Sequence, residues 1–382
     1  MSTPEPPLRA LFLNENIGGH ATMHRHLRGA LTEHPEVDAR FVDLPRPGLP
    51  RKLFAAQIPG LARLDLDFQP LRAQLAQSFV ARRLLCQTRA PFDVLHAYTQ
   101  NSVLLSADVL AAVPSVVSLD ITGLHLAFTH SYRSPTRFTP LRVRAGIRFE
   151  RRVLDAATLV VAHSEWAAQS LREEYHVPGE RIRIIPFGIT LPSTPTPRVV
   201  DAPPQVTFIG TQMDRKGGWR LLRVWRRHLR DRCTLNLITR DPVPEEPGVR
   251  VFNDIVADDP RHAALLAETS VLAFPTEIDA FGYAAIEAMA AGVPVVATQL
   301  HALPEIVEDG VTGLLVAPDD DELAAALRTL LDDDELRSRM GEAGRAVAYE
   351  RFDARRTTAA LLEVLELARR LHRSRRRAPA AP

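Results

Sequence analysis

Cysteine is nearly absent from this chain: Cys86 and Cys233 are the only two in 382 residues. They stand far apart in sequence, so neither a disulfide framework nor a cysteine metal cluster is implied. Long apolar runs are missing too; none approaches the roughly 20 residues that span a bilayer. The opening residues, MSTPEPPLR, lack the basic-then-apolar pattern of a secretory signal. The expected location is therefore cytoplasmic. There is almost no net charge, +1 formally, which argues against nucleic acid as the main partner. No GxGxxG occurs, so a nicotinamide or flavin site is not indicated. Lysine is scarce as well. Lys52 and Lys216 are the only two among 47 basic residues, so a lysine kept against the arginine bias draws notice.

What is present is a repeated alternation of short apolar runs and amphipathic stretches. A length of 382 residues with 46% hydrophobic residues suits two domains, each with its own core. Apolar runs at 8–14, 41–44, 93–96, 115–119, 158–162 and 182–185 read as strands, with helices between them. Residues 45–70 carry no clear period. A second series follows, with strands at 206–209, 235–239, 271–274, 293–297 and 314–316 and helices at 219–228, 261–268, 284–291, 320–331 and 334–349. Between the two series, residues 186–204 hold six prolines, which reads as a linker. Strands alternating with helices imply parallel sheets with right-handed crossovers. The expected fold is α/β, with two doubly wound Rossmann-like domains facing across a cleft. The expected divisions are 1–190, a linker at 191–204, a nucleotide-binding domain at 205–350, and a helix with a basic tail at 351–382 that crosses back to the first domain.

Three places carry chemistry. Gly18-Gly19 lies between a strand and a helix, where glycine lets a ligand approach the backbone and a helix N-terminus favours anions; a plain tight turn explains it equally. Gly210 opens a second turn that runs Asp214-Arg215-Lys216-Gly217-Gly218 into a helix. A cation at such a helix start suits a diphosphate; an exposed basic turn is the plainer explanation. The stretch 275–313, PTEIDAFGYAAIEAMAAGVPVVATQLHALPEIVEDGVTG, sets Asp279 and Glu287 eight residues apart around a loop-to-helix junction. Glu287 sits between Ile286 and Ala288 on a helix too apolar to be a free surface, so its carboxylate needs a partner. Ribose hydroxyls fit that need.

These motifs together resemble the retaining glycosyltransferases of family 4, which have the GT-B architecture. The acid pair followed by an apolar helix and GVPVVAT resembles that family's signature. FIG…DRKGG resembles its phosphate-binding turn, Gly18-Gly19 its first glycine loop, and residues 164–189 the end of its first domain. The resemblance implies transfer of a hexose from a nucleotide-diphosphate sugar to a hydroxyl of a glycan, glycolipid or small glycoside, with retention. Glu287 would hold the donor ribose. Asp279 would contact the transferred sugar, beside the amides of Ala280, Phe281 and Gly282. Lys216, with Arg215, would neutralise the diphosphate, Gly210 would approach it, and Gly18 and Gly19 would approach the same phosphates or the acceptor. No cofactor and no metal are implied. The chain departs from the family pattern at Asp279, where Glu is usual, at Thr211, where Arg is usual, and at Asp120, where His is common. Asp120 would still accept a hydrogen bond from a sugar hydroxyl. A weakly catalytic, glycosyltransferase-like binding subunit is the alternative that these departures raise, and a sugar-nucleotide epimerase is a third reading.

Two arginine-rich segments remain. Arg133, Arg137, Arg142, Arg144, Arg148, Arg151 and Arg152 crowd one stretch, and the chain ends in a basic tail. Each reads either as a solvated face or as peripheral contact with an anionic membrane at its inner face.

Overall fold

The computed structural model describes residues 6–15, 19–45, 48–127, 136–191, 203–256 and 259–377. Most of the proline-rich stretch, 192–202, and Gly18 and Arg133 lie outside the described residues. The chain divides into two compact units, Met1–Gly188 with Ala354–Pro382, and Ile189–Asp353.

The first unit is built on six parallel strands: β1 (Leu8–Asn14), β2 (Val37–Asp43), β3 (Val94–Tyr98), β4 (Ser115–Leu119), β5 (Leu159–Ala162) and β6 (Ile182–Ile184). Their spatial order is β2-β1-β3-β4-β5-β6. β3, β4 and β5 are buried along their whole length, which is why they read as continuous apolar runs. Helix Ala354–Arg377 packs on helix Gly19–Leu31 and on β3 and β4. Gly188 allows this close approach: a Cβ there would collide with the backbone of Ala354.

The second unit repeats the plan with β7 (Gln205–Ile209), β8 (Thr234–Ile238), β9 (Val249–Phe252), β10 (Val271–Phe274), β11 (Val295–Thr298) and β12 (Gly313–Val316). The order is β12-β11-β10-β7-β8-β9, again all parallel. Its core joins Val206, Phe208, Leu221, Trp225, Leu235 and Leu327.

Two strands differ from the sequence expectation. β2 begins at Val37, four residues before the apolar run, and β9 falls where no strand was expected. Both are outer strands, partly open to solvent, so Asp38, Arg40 and Arg250 interrupt the apolar pattern without ending the ladder. The segment without a period contains helix Leu49–Ala55, and a short helix, Gly123–Ala127, follows β4.

Candidate active site

In the second sheet the chain runs outward from β7 to β8 and β9, then returns to β10 on the other side of β7. The strand order therefore reverses between β7 and β10. Open α/β sheets bind ligands at such a point, beyond the strand carboxyl ends. The loops that leave β7 and β10 are the two that carry the sequence motifs.

These loops are tied to each other. The Glu277 amide donates to the Arg215 carbonyl at 3.1 Å. Arg215 Nη1 reaches the Ile278 carbonyl at 3.4 Å, and Arg215 Nε donates to Gln212 Oε1 at 2.9 Å. The Thr276 hydroxyl donates to the Ile278 carbonyl at 2.9 Å. Arg215 therefore braces the two loops, whereas Lys216 turns to Asp279. The Lys216 ammonium pairs with Asp279 Oδ2, and both side chains are largely shielded from solvent. The other Asp279 oxygen accepts the Phe281 amide at 3.2 Å. Lys216 also stands 5.5 Å from the centre of the Phe274 ring. Burial lowers the Lys216 pKa, Asp279 opposes that effect, and Arg215 adds to it. The group is thus a desolvated cation with its counter-charge beside it, the state in which electrostatic interactions are strongest.

Glycines make this packing possible. A Cβ on Gly210 would stand 2.8 Å from Lys216 Cβ, so only glycine lets the lysine stem lie across the end of β7. Gly217 caps helix Gly218–His228 at φ 73°, and a Cβ there would meet the Pro275 carbonyl of the neighbouring loop. Gly217→Ala should therefore cost at least about 2 kcal/mol, from left-handed backbone strain plus the clash. Denaturant unfolding that moved by less than half of that would show that the two loops are not in contact.

Gly282 caps helix Tyr283–Ala290 at φ 101°. Ala280 and Gly282 lie in the loop that precedes the helix, and Phe281 is buried there. Glu287 lies one turn into the helix, and its Oε2 is 3.9 Å from His262 Nε2. Burial lowers the His262 pKa, with Asp259 opposing, so His262 is a neutral neighbour at ordinary pH. Thr211 is exposed at the start of the turn.

The first unit has its own reversal point, between β1 and β3. Gly19 opens the helix there. Next to it, His20 lies between two acids, with Nδ1 3.6 Å from Glu15 Oε2 and Nε2 3.9 Å from Asp120 Oδ2. Burial opposes the charged imidazole, but Asp120 and Glu15 outweigh it and raise the His20 pKa well above its usual range. Burial pushes Asp120 the other way, yet His20 holds its carboxyl below the ordinary value. Thr99 donates to the same Glu15 oxygen at 3.1 Å. Sequence reading singled out Asp120 alone. The signal for the others was the first side chain after the glycine pair, His20, and the acid just past β1, Glu15.

His96 and His163 serve the core. His96 Nε2 is 2.7 Å from the Ser118 hydroxyl, and His163 Nδ1 is 2.8 Å from the Ile185 carbonyl. With Tyr98 and Phe187 they line a cavity of about 40 Å³ inside the first unit. Among the described residues no group of three or more His, Cys, Asp or Glu is placed to hold a metal ion. No described helix is long and apolar enough to cross a membrane.

Comparison with known proteins bears on the family and the fold. Residues 18–188 match the glycosyl transferase 4-like domain, and residues 203–333 match glycosyl transferases group 1. The chain is 26% identical to the MMP alpha-(1->4)-mannosyltransferase of Mycolicibacterium hassiacum, over 92% of this chain and 95% of that protein. Its fold is similar to sucrose-phosphate synthase from Thermosynechococcus elongatus, with a TM-score of 0.70, 19% identity, and 94% and 98% of the two chains covered. It is also similar to Anabaena Alr3699/HepE in complex with UDP-glucose, with a TM-score of 0.63, 19% identity, and 94% and 100% covered. With both halves matched and the α/β architecture of GT-B enzymes, the chain belongs to the group 1, family 4 glycosyltransferases.

Proposed function

We propose that this glycosyltransferase moves a hexose from a nucleotide-diphosphate sugar to a hydroxyl of a glycan, glycolipid or small glycoside, with retention of configuration. The observation that carries the proposal is the shielded Lys216–Asp279 pair at the reversal point of the second sheet, between two glycine-capped helix starts. The bound UDP-glucose of the HepE structure and the mannosyltransferase relative support it.

In this reading Glu287 accepts hydrogen bonds from the donor ribose. Lys216 turns from Asp279 to the diphosphate, with Gly210 leaving room for its stem. Asp279, released, accepts from hydroxyls of the transferred sugar, and the amides near Ala280, Phe281 and Gly282 donate to it. As the glycosidic bond breaks, charge builds on the leaving diphosphate, and Lys216 is most effective at that moment. A leaving phosphate oxygen takes the proton of the acceptor hydroxyl on the same face, which gives retention. The protein contributes positioning and charge, and the scheme uses no metal ion. In the first unit, Glu15, His20 and Asp120 offer two carboxylates and an imidazolium to a hydroxyl-bearing ligand, and Gly19 leaves the adjacent backbone open. A cytoplasmic setting with peripheral membrane contact is part of the same reading. Exposed Arg144, Arg148, Arg151 and Arg152 on helix Thr139–Ala156 support it, whereas Arg142 is committed to Asp65.

The test is Glu287→Ala. Loss of a charged acceptor for two ribose hydroxyls should weaken nucleotide binding by roughly tenfold or more. Unchanged affinity in a calorimetric titration would remove the ribose assignment. Anomer analysis of the product by NMR tests retention.

A further inference from the structure

Within the stretch without a readable period, residues 48–64 form a lobe with an unusual surface. Leu49, Leu53 and Phe54 are 76%, 70% and 53% exposed, and Ile58, Leu61 and Leu64 are also open to solvent. Folded chains seldom display so many large apolar side chains in one short stretch. Leu49, Lys52 and Leu53 recur at i, i+3 and i+4 on helix Leu49–Ala55, so they share one face.

The lobe is held firmly in place. Arg72 donates to the Ala56 carbonyl at 2.8 Å and to the Asp67 carbonyl at 2.7 Å. Asp65 is buried at φ 60°, where it accepts from Arg142 Nε at 2.7 Å and from the Thr139 hydroxyl at 2.8 Å. The Thr136 hydroxyl donates to the Leu64 carbonyl at 2.8 Å. These bonds bring the lobe beside the start of helix Thr139–Ala156, where Arg137, Leu141 and Arg144 are exposed.

Charge selects the occupant. Residues 45–64 contain Arg46, Arg51, Lys52 and Arg63 and no acidic residue. Apolar side chains interleaved with basic ones, with no acid among them, match the boundary between acyl chains and anionic headgroups. We infer that residues 49–64 dock on an anionic bilayer surface: Leu49, Leu53 and Phe54 enter the acyl boundary, while Lys52, Arg63, Arg137 and Arg144 meet headgroup phosphates. The inference deepens the peripheral-contact reading. Apart from Arg144, it stands on different residues from the arginine face of the long helix, and it holds whatever sugar is transferred.

Vesicle flotation of the full-length protein tests it, with vesicles of phosphatidylcholine alone or with about a third phosphatidylglycerol. Binding is expected only to the mixed vesicles, and added salt should weaken it. Leu53→Asp with Phe54→Asp should reduce it by roughly tenfold or more, with melting temperature and nucleotide binding unchanged because both side chains are exposed. Arg148→Glu with Arg151→Glu, on the long helix, should leave most of the binding in place. If that pair abolishes binding and the lobe pair does not, the arginine face is the docking element and the lobe is not. If the wild type ignores both vesicles, the inference fails. A dimer that the lobe pair dissociates would assign the patch to a second copy of the chain instead.

Discussion

Lys216→Ala should lower sugar transfer by roughly 10²–10³-fold, the usual cost of removing one preorganised charge from a developing anion. The lysine is shielded and sits beside Asp279, so it exerts its charge in a region of low dielectric. The substitution also leaves Asp279 without its counter-charge in a shielded position, which should cost about 1–3 kcal/mol of stability. Lys216→Arg should recover part of the rate, because the stem still lies across Gly210 while the charge is moved. Turnover at saturating donor is the quantity to measure. A fall in affinity alone, with turnover intact, would place Lys216 in ground-state binding and not at the leaving group.

The first unit should unfold readily in acid. His24, His96 and His163 are all buried, and burial lowers their pKa values to about 3, 3 and 4. The unfolded chain binds their protons at the ordinary value near 6.5. A histidine with a depressed folded pKa contributes its stability above 6.5 and loses it as pH falls towards the folded value. Between roughly pH 7.5 and pH 5, each should therefore cost about 2 kcal/mol, and the three together about 6 kcal/mol. His20 works in the opposite sense: its pKa is raised, so its contribution is full below pH 6.5 and fades as pH rises through its folded value. Hydrogen exchange of the β3, β4 and β5 amides against pH measures this directly. His96→Asn should flatten the slope, and a protection that stays level down to pH 5 would show that these imidazoles are not held neutral.

Much of the fold was legible because its central strands are buried on both faces. Residues 271–274 and 159–162 are apolar throughout, and they form β10 and β5. β2 and β9 were shortened or missed because outer strands need not be apolar on the open side. Helix Leu49–Ala55 was illegible for a different reason: its apolar residues face solvent, so their spacing follows no core. At the site, lysine scarcity pointed to Lys216, and an acid before an apolar helix pointed to Asp279. Their pairing was invisible, since they stand 63 residues apart and meet only because β10 returns to the side of β7. The same holds for Glu15, His20 and Asp120, which come together only once β1, β3 and β4 are laid side by side. Arg215 and Lys216 are neighbours in sequence with different contacts, one bracing the loops and the other paired with Asp279. Only the contacts of each side chain separate them.

The most direct test is a calorimetric titration of the wild-type protein with UDP, GDP and ADP and their hexose conjugates, without added metal and with Lys216→Ala alongside. The account predicts saturable binding of one nucleotide series, weakened by Lys216→Ala for diphosphates but not for the matching nucleoside. Failure of every nucleotide to bind, or equal affinities for the two proteins across the bound series, would contradict a diphosphate-sugar site at the β7 and β10 loops.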